Sequence, residues 1–280
     1  SNGSKVLLNG HLGWVYEEEF GSFDGYRWSP DSKNIAYWEE NQSNVPLFKM
    51  FDEISLYPTI KEIHYPKAGE INPTMSIFVV NVKRGNRKKM SIGDNHDTYY
   101  PWIKWTNNSA LKVMRMNRLQ NHWDLLNVSI KNGKSNKGLS ESDPKGWVEL
   151  HRNYFFLKDD KILWLSERSG WHHIYIHNSN GEKIRQLTSG KWEVKRIIKV
   201  DESNNKIFFT ANKESVFETK FYSVNFDGSN LTLLTNEPGS HSVKILPNGD
   251  AFIDSYSSLV SPTKHVLKNM DGDVIKVISE

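Results

Sequence analysis

Three consecutive glutamates, Glu17, Glu18 and Glu19, lie between Tyr16 and Phe20 in the segment GWVYEEEF. Adjacent carboxylates repel each other, by up to about 4 kcal/mol for a close pair at an effective dielectric constant near 20. The aromatic neighbours indicate that this backbone lies against an apolar surface, where two converging acids favour a bound cation. A primary ammonium, with three hydrogen-bond donors, suits such a pair. The run therefore predicts an amine or cation site; an exposed charge run that caps a short helix is the alternative.

Other chemical devices are missing from the sequence. Cysteine is absent, which excludes disulfides, thiol catalysis and cysteine-based zinc sites. There is no Gly-x-Ser-x-Gly nucleophile elbow, no His-Glu-x-x-His pair and no Walker-type loop. His173 and His177 would share one face of a strand about 13 Å apart, too far for one metal ion without a further ligand. We expect packing roles for these histidines, and neither a metal, a cofactor nor a catalytic residue in this chain.

The composition favours strands over helices. The 280 residues include 10 Trp, 11 Tyr and 13 Phe, and aromatic side chains are enriched in strands. The net charge is small, at +3, and the one dense basic run, VKRGNRKKM at 82–90, is more typical of a polar hairpin tip than of a nucleic-acid surface. We therefore expect a β-rich protein without a nucleic-acid partner.

The elements that must position the glutamates recur along the chain. Three segments each read as a short strand, an Asn-x-x-Gly turn and a second short strand, with the turn glycines at Gly181, Gly228 and Gly272. The intervals of 47 and 44 residues between these glycines fit the period of about 40–50 residues of a four-stranded propeller blade. A second pattern, two strands around a polar turn, occurs five times. The sequence predicts an all-β fold: a β-propeller of four-stranded antiparallel blades, as an incomplete set of about five blade-like units.

The first of these units is longer than the others. Pro58, Pro66 and Pro73 lie in the extra segment, and proline interrupts strand pairing. A long excursion on a repeat usually lies on one face, often the functional one. We predict one partial propeller domain over residues 1–280, with the Glu-rich segment at 13–20 and a long insertion at about 50–75.

Nine sequence motifs cover most of the chain. They are NGHLGWVYEEEF, WSPDSKNIAYWEEN, VPLFKM, YPTIKEIHYPKAGEINPT, SIFVVNV, MNRLQN, GWVELHR, SERSGWHHIYIHN and LTSGKWEV. In content and order they resemble the N-terminal β-propeller domain of the dipeptidyl peptidase IV family, and the first resembles the family's Glu motif. The resemblance implies that a C-terminal α/β-hydrolase domain with a Ser-Asp-His triad belongs to the same protein. This chain would then be part of a serine-type exopeptidase, inactive alone because the catalytic domain is absent.

The resemblance also implies residue roles. Family members release dipeptides from peptide N-termini, mostly Xaa-Pro and Xaa-Ala. Carried over to this sequence, Glu18 and Glu19 bind the substrate's α-ammonium, and Glu17 is a neighbour without direct contact. His151 and Arg152, in GWVELHR, would line the outer substrate subsite, where histidine replaces the aromatic residue of animal members. The propeller would thus bind the substrate and gate its access to the serine.

Three other functions stay open at this point. The chain could be the propeller of a catalytically inactive family member, a stand-alone propeller that binds proteins, or the propeller of a tripeptide-releasing variant. The partners that the resemblance implies are a peptide with a free N-terminus, the hydrolase domain of the same protein and, at full length, a second copy in a homodimer. Animal members carry propeller disulfides, so the absence of cysteine indicates a bacterial relative that is periplasmic or otherwise extracytoplasmic.

Overall fold

The computed structural model describes residues 2–93, 97–150 and 153–279, and these are almost entirely β. Within these ranges the chain forms 24 strands and one short helix, α1 (Trp14–Glu18). None of the helices in the described residues is long and apolar enough to cross a membrane. The chain divides into two compact units, Ser1–Glu149 and Leu150–Glu280. The predicted all-β fold class is confirmed.

Unit 1 contains two five-stranded antiparallel sheets and a separate hairpin. Its strands are β1 (Leu7–Asn9), β2 (Tyr26–Trp28), β3 (Asn34–Asn41), β4 (Leu47–Asp52), β5 (Thr59–His64), β6 (Thr74–Asn81), β7 (Arg87–Lys89), β8 (Thr98–Tyr99), β9 (Ile103–Asn107), β10 (Ala110–Asn117), β11 (His122–Ser129) and β12 (Ser135–Ser142). Sheet 1 has the order β1-β3-β6-β7, with β2 also paired to β3. Sheet 2 has the order β12-β11-β10-β8, with β9 also paired to β10.

Strand β3 organises sheet 1. It pairs with β6 along its whole length, from Asn34 opposite Asn81 to Asn41 opposite Thr74. Ala36, Trp38 and Glu40 are all buried, and their spacing of two residues places them on one face of the strand. The buried face of β3 thus ends in a carboxylate.

Strands β4 and β5 form the separate hairpin between β3 and β6, in the part of the chain where we predicted a long insertion. Its outer part carries exposed apolar side chains, among them Phe51, Ile54, Leu56 and Tyr57. At its base Tyr65 lies against Trp14 of α1, with ring centroids 4.3 Å apart. The hairpin therefore contacts the helix that carries the glutamates.

Unit 2 contains three four-stranded antiparallel sheets, each a sequential meander. Sheet 3 is β13 (Phe155–Phe156), β14 (Ile162–Ser166), β15 (His173–His177) and β16 (Lys183–Gln186); sheet 4 is β17 (Val194–Asp201), β18 (Lys206–Ala211), β19 (Lys220–Asn225) and β20 (Thr232–Leu233); sheet 5 is β21 (Ser240–Ile245), β22 (Ala251–Ser258), β23 (Ser261–Asn269) and β24 (Val274–Ser279). With the two sheets of unit 1, the described residues contain five blade-like sheets, the number that the repeats predict.

The repeated Asn-x-x-Gly turns connect the last two strands of sheets 3, 4 and 5. Gly181, Gly228 and Gly272 have φ values of 91°, 83° and 95°, and each donates its N–H to the carbonyl of the turn asparagine three residues earlier. A Cβ atom at Gly272 would lie 2.6 Å from the backbone oxygen of Leu234. Glycine is thus required there both by the left-handed conformation and by the close approach of the preceding sheet.

The two strand histidines are buried within sheet 3. His173 contacts the Thr188 hydroxyl and the Gly190 carbonyl, each at 3.0 Å, and His177 Nδ1 lies 3.1 Å from the Gly181 carbonyl. Burial lowers the pKa of His177 to about 4, so its ring is neutral at physiological pH. Both rings pack inside the sheet, as the strand spacing indicates.

Candidate functional site

Helix α1 begins where its backbone meets the buried end of β3. The Gly13 N–H donates to Glu40 Oε2 at 2.7 Å, and the Gln42 side chain donates to Glu40 Oε1 at 2.6 Å. A Cβ atom at position 13 would lie 2.2 Å from Glu40 Oε1, so a side chain there would displace the carboxylate. Glycine at this position therefore allows sheet 1 to hold the start of the helix.

Aromatic side chains hold the opposite end of the Glu-rich segment. Tyr16 is fully buried, and its hydroxyl accepts the Tyr100 N–H at 3.0 Å. The ring of Phe20 lies 5.5 Å from that of Tyr16 and 5.3 Å from that of Tyr99. Burial raises the pKa of Tyr16 well above its usual value, so its hydroxyl stays protonated. The segment is thus fixed to an apolar surface, as its aromatic neighbours predict.

The three carboxylates lie on the solvent side of this anchored segment. Glu17 is half-buried, whereas Glu18 and Glu19 are exposed. Glu19 Oε1 accepts a hydrogen bond of 2.8 Å from the Gln120 side-chain amide, and neither Glu18 nor Glu19 forms an ion pair among the described residues. Within the described ranges, Glu18 and Glu19 are thus two acids without a counter-ion, on a segment fixed at Gly13 and Tyr16. The alternative interpretation was an exposed charge run that caps a short helix, and helix α1 is such a helix. The fold is therefore compatible with both interpretations.

His151 and Arg152 lie outside the described residues. The segment before them is described, and it approaches the Glu19 partner: the Val148 N–H donates to the Gln120 carbonyl at 2.9 Å, and Trp147 is exposed. The motif GWVELHR therefore begins next to the turn whose Gln120 contacts Glu19.

An apolar cavity of about 460 Å³ lies beside α1, at the base of the inserted hairpin. Its lining includes Trp14, Phe48, Met50, Ile63 and Tyr65. Glu18 and Glu19 do not line this cavity. It therefore lies beside the acidic run and is not the surface on which the glutamates would bind a cation.

The sequence prediction missed three residues that support the run. Glu40 and Gln42 hold the helix start, and Gln120 contacts Glu19. Period-two spacing from Ala36 through Trp38 could have placed Glu40 on the buried face of β3. No local pattern indicates the contact of Gln120, which is 101 residues from Glu19.

A second acidic cluster lies in unit 2. Side-chain atoms of Glu237, His241 and Asp254 lie within 4.8 Å of one another, a spacing that could suit a metal ion. The Lys268 ammonium, however, lies 2.6 Å from Glu237 and 3.1 Å from Asp254. Burial would raise the pKa of Glu237, but the hydrogen bonds from Lys268 hold it below its usual value. The cluster thus contains its own cation and does not need a metal for charge balance.

Comparison with known proteins identifies the family. The family model described as the dipeptidyl peptidase IV (DPP IV) N-terminal region matches residues 1–263. This chain belongs to the dipeptidyl peptidase IV family. Among curated proteins, it is 30% identical to dipeptidyl peptidase 4 of Trichophyton rubrum over 289 residues, and 31% identical to that of Arthroderma otae over 273 residues. The alignments cover 97% and 91% of this chain.

A solved structure supports the fold assignment. The crystal structure of Porphyromonas gingivalis dipeptidyl peptidase 4 matches 100% of this chain with a TM-score of 0.87 and 32% sequence identity. This match confirms the predicted fold class, an all-β set of propeller blades from a dipeptidyl peptidase IV N-terminal region. The chain covers 40% of that structure's chain and 37% of the Trichophyton rubrum relative.

Proposed function

We propose that this chain is the substrate-binding and gating propeller domain of a serine-type dipeptidyl peptidase, and that Glu18 and Glu19 bind the α-ammonium of a peptide substrate. The observation that carries the proposal is the pair of exposed acids on a segment fixed by Gly13 and Tyr16. No internal cation among the described residues competes for them. Membership in the dipeptidyl peptidase IV family supports the same assignment.

The chemistry of the ligand suits the pair of acids. A peptide α-amino group has an ordinary pKa of about 7.7–8.0 and is mostly charged at neutral pH. Two nearby carboxylates raise that pKa further, and the ammonium has three donors to share between them. An internal peptide segment has no such charge. The site therefore selects free N-termini over internal segments and over acylated ends.

The proposed role in the reaction is orientation. An ammonium held on Glu18 and Glu19 places the following peptide bonds at set distances from the binding site. A serine in a separate hydrolase domain would then meet the bond after the second residue, which releases Xaa-Pro or Xaa-Ala. Holding the reacting bond in place converts binding free energy into rate. His151 and Arg152 would contact the substrate's outer side in this arrangement.

The test is a set of charge-removing variants in the full-length gene product that contains this chain. Glu18→Gln and Glu19→Gln should each lower kcat/KM for a Xaa-Pro substrate by about 10- to 100-fold, because each removes a hydrogen bond between charged groups. Glu17→Gln is the matched control and should change kcat/KM by less than about twofold. Unaltered kinetics in both the Glu18 and the Glu19 variant would overturn the proposal.

A further inference from the structure

Gln120 adopts an unusual backbone conformation next to the acidic run. It lies in the turn between β10 and β11 with a φ of 55°, in the left-handed region that non-glycine residues seldom occupy. The same conformation, with φ of 53–57°, occurs in other loops between strands, at Ser32, Asp160, Asn205 and Asn230, and it is typical of short hairpin loops. The turn accounts for this conformation, so the role of Gln120 is inferred from its side-chain contact.

The turn around Gln120 is fixed by a compact set of hydrogen bonds. The Gln120 N–H donates to the Asn117 carbonyl at 2.9 Å. The side-chain oxygen of Asn117 accepts the N–H groups of Asn121 and His122 at 3.2 and 3.1 Å. On the other side, the Gln120 carbonyl accepts the Val148 N–H. These bonds hold the backbone of the turn from which the Gln120 side chain extends.

The Gln120 side chain reaches Glu19, to which its amide donates at 2.8 Å. We propose that Gln120 is a positioning residue for the ammonium site: it fixes the Glu19 carboxylate by one oxygen and leaves the second for the substrate. This inference rests on the proposed function. A neutral amide is suited to the task because it orients the carboxylate without cancelling its charge. A lysine or arginine there would occupy the place of the substrate's ammonium.

Removal of the Gln120 amide should affect substrate binding more than the chemical step. A free glutamate side chain samples several rotamers, and a ligand must then restrict it on binding. Because Gln120 restricts Glu19 beforehand, removing the amide should weaken substrate binding in the ground state and the transition state alike. Such a change raises KM and leaves kcat nearly constant.

Two variants of the full-length protein remove the contact and keep the turn. Gln120→Asn tolerates a positive φ and retains an amide, but it is shorter by one carbon–carbon bond, about 1.5 Å. Gln120→Gly adopts a positive φ without strain. Both should raise KM for a Xaa-Pro substrate about tenfold, with kcat within about twofold. Leu119→Ala, at an exposed position of the same turn, is the control and should retain the parental KM.

A double-mutant cycle separates this inference from the proposed function. In a Glu19→Gln background the Gln120→Asn change should have little further effect, because the carboxylate that it positions is gone. A KM within twofold of the parental value in both Gln120 variants, or effects that add fully to that of Glu19→Gln, would overturn the inference while the proposed function stands. If Glu18→Gln and Glu19→Gln are themselves silent, the proposed function fails, and the positioning role fails with it.

Discussion

The exposed acids of unit 1 and the acidic cluster of unit 2 differ in the groups that donate hydrogen bonds to them. Glu19 accepts a hydrogen bond from the neutral amide of Gln120 and remains exposed. Glu237 and Asp254 share the ammonium of Lys268, whose side chain is buried. Both sets contain more than one acid, yet one is open to an external cation and the other already contains an internal one.

We infer from this difference what would distinguish the proposed ammonium site from a structural ion pair. Proximity of the acids does not decide whether they are available to an external cation, since the Glu237–His241–Asp254 cluster also has the spacing of metal ligands. What decides it is whether the hydrogen-bond donor to the carboxylate is charged or neutral. A charged donor in place completes the charge balance, whereas a neutral donor orients a carboxylate and keeps its charge available for a ligand.

Glu40 is an intermediate case between these two sets. It is buried, but its hydrogen-bond donors are the Gly13 N–H and the Gln42 amide, and neither carries a charge. Burial therefore raises the pKa of Glu40 above its usual value, in contrast to the lowered pKa of Glu237 beside Lys268. The comparison predicts that the energetic cost of an acid here depends on its donors as well as on its burial.

The largest expected effect is on the internal ion pair. Lys268→Met should lower the free energy of unfolding by about 3–5 kcal/mol, because it leaves the buried Asp254 and the partly exposed Glu237 without the lysine ammonium. Urea denaturation at neutral pH measures this. In the same assay Glu18→Gln should change the free energy by less than about 0.5 kcal/mol. Equal stabilities of the Lys268 variant and the parent would break the comparison.

A smaller effect is expected at Glu40, as a dependence of stability on pH. Because its pKa is raised in the folded state, its contribution is fully present below the unfolded-state pKa of about 4.3 and is lost as the pH rises through the folded-state value. Glu40→Gln removes this titration. The stability of the variant relative to the parent should therefore increase from pH 4 to pH 7, as measured by urea denaturation across that range.

Neighbouring titratable groups must be controlled in the Glu40 experiment. The charge of His11 lowers the pKa of Glu40, and Tyr16 stays protonated over the range tested because burial raises its pKa. The comparison is therefore repeated in a His11→Gln background, where the trend should persist. The prediction is contradicted if the stability difference between Glu40→Gln and its parent does not vary with pH in either background. The hydrogen bonds from the neutral donors would then offset the effect of burial on the pKa of Glu40.

Local sequence patterns predicted the sheets and the attachment of the Glu-rich segment. They did not predict contacts between residues that are far apart in the sequence. The Asn-x-x-Gly turns at Gly181, Gly228 and Gly272 are local and recur at the blade period, so the sequence was sufficient to place them. Tyr16 and Phe20 likewise predicted the attachment of the Glu-rich segment by their type alone.

The supporting contacts depend on the fold. Gln120 meets Glu19 across 101 residues, and Glu40 meets Gly13 across 27. The sequence alone cannot show that a turn of sheet 2 and the end of β3 converge on one short helix. The acids proposed to bind a ligand therefore stand out in the sequence, whereas the groups that contact or support them, such as Gln120 and Glu40, do not.

The most direct test of the central claim is a crystal structure of the full-length protein with a Xaa-Pro dipeptide. The account predicts that the dipeptide's ammonium nitrogen lies within about 3.2 Å of a carboxylate oxygen of Glu18 and of one of Glu19. A dipeptide bound with its nitrogen at another site, and with both carboxylates in solvent, would contradict it.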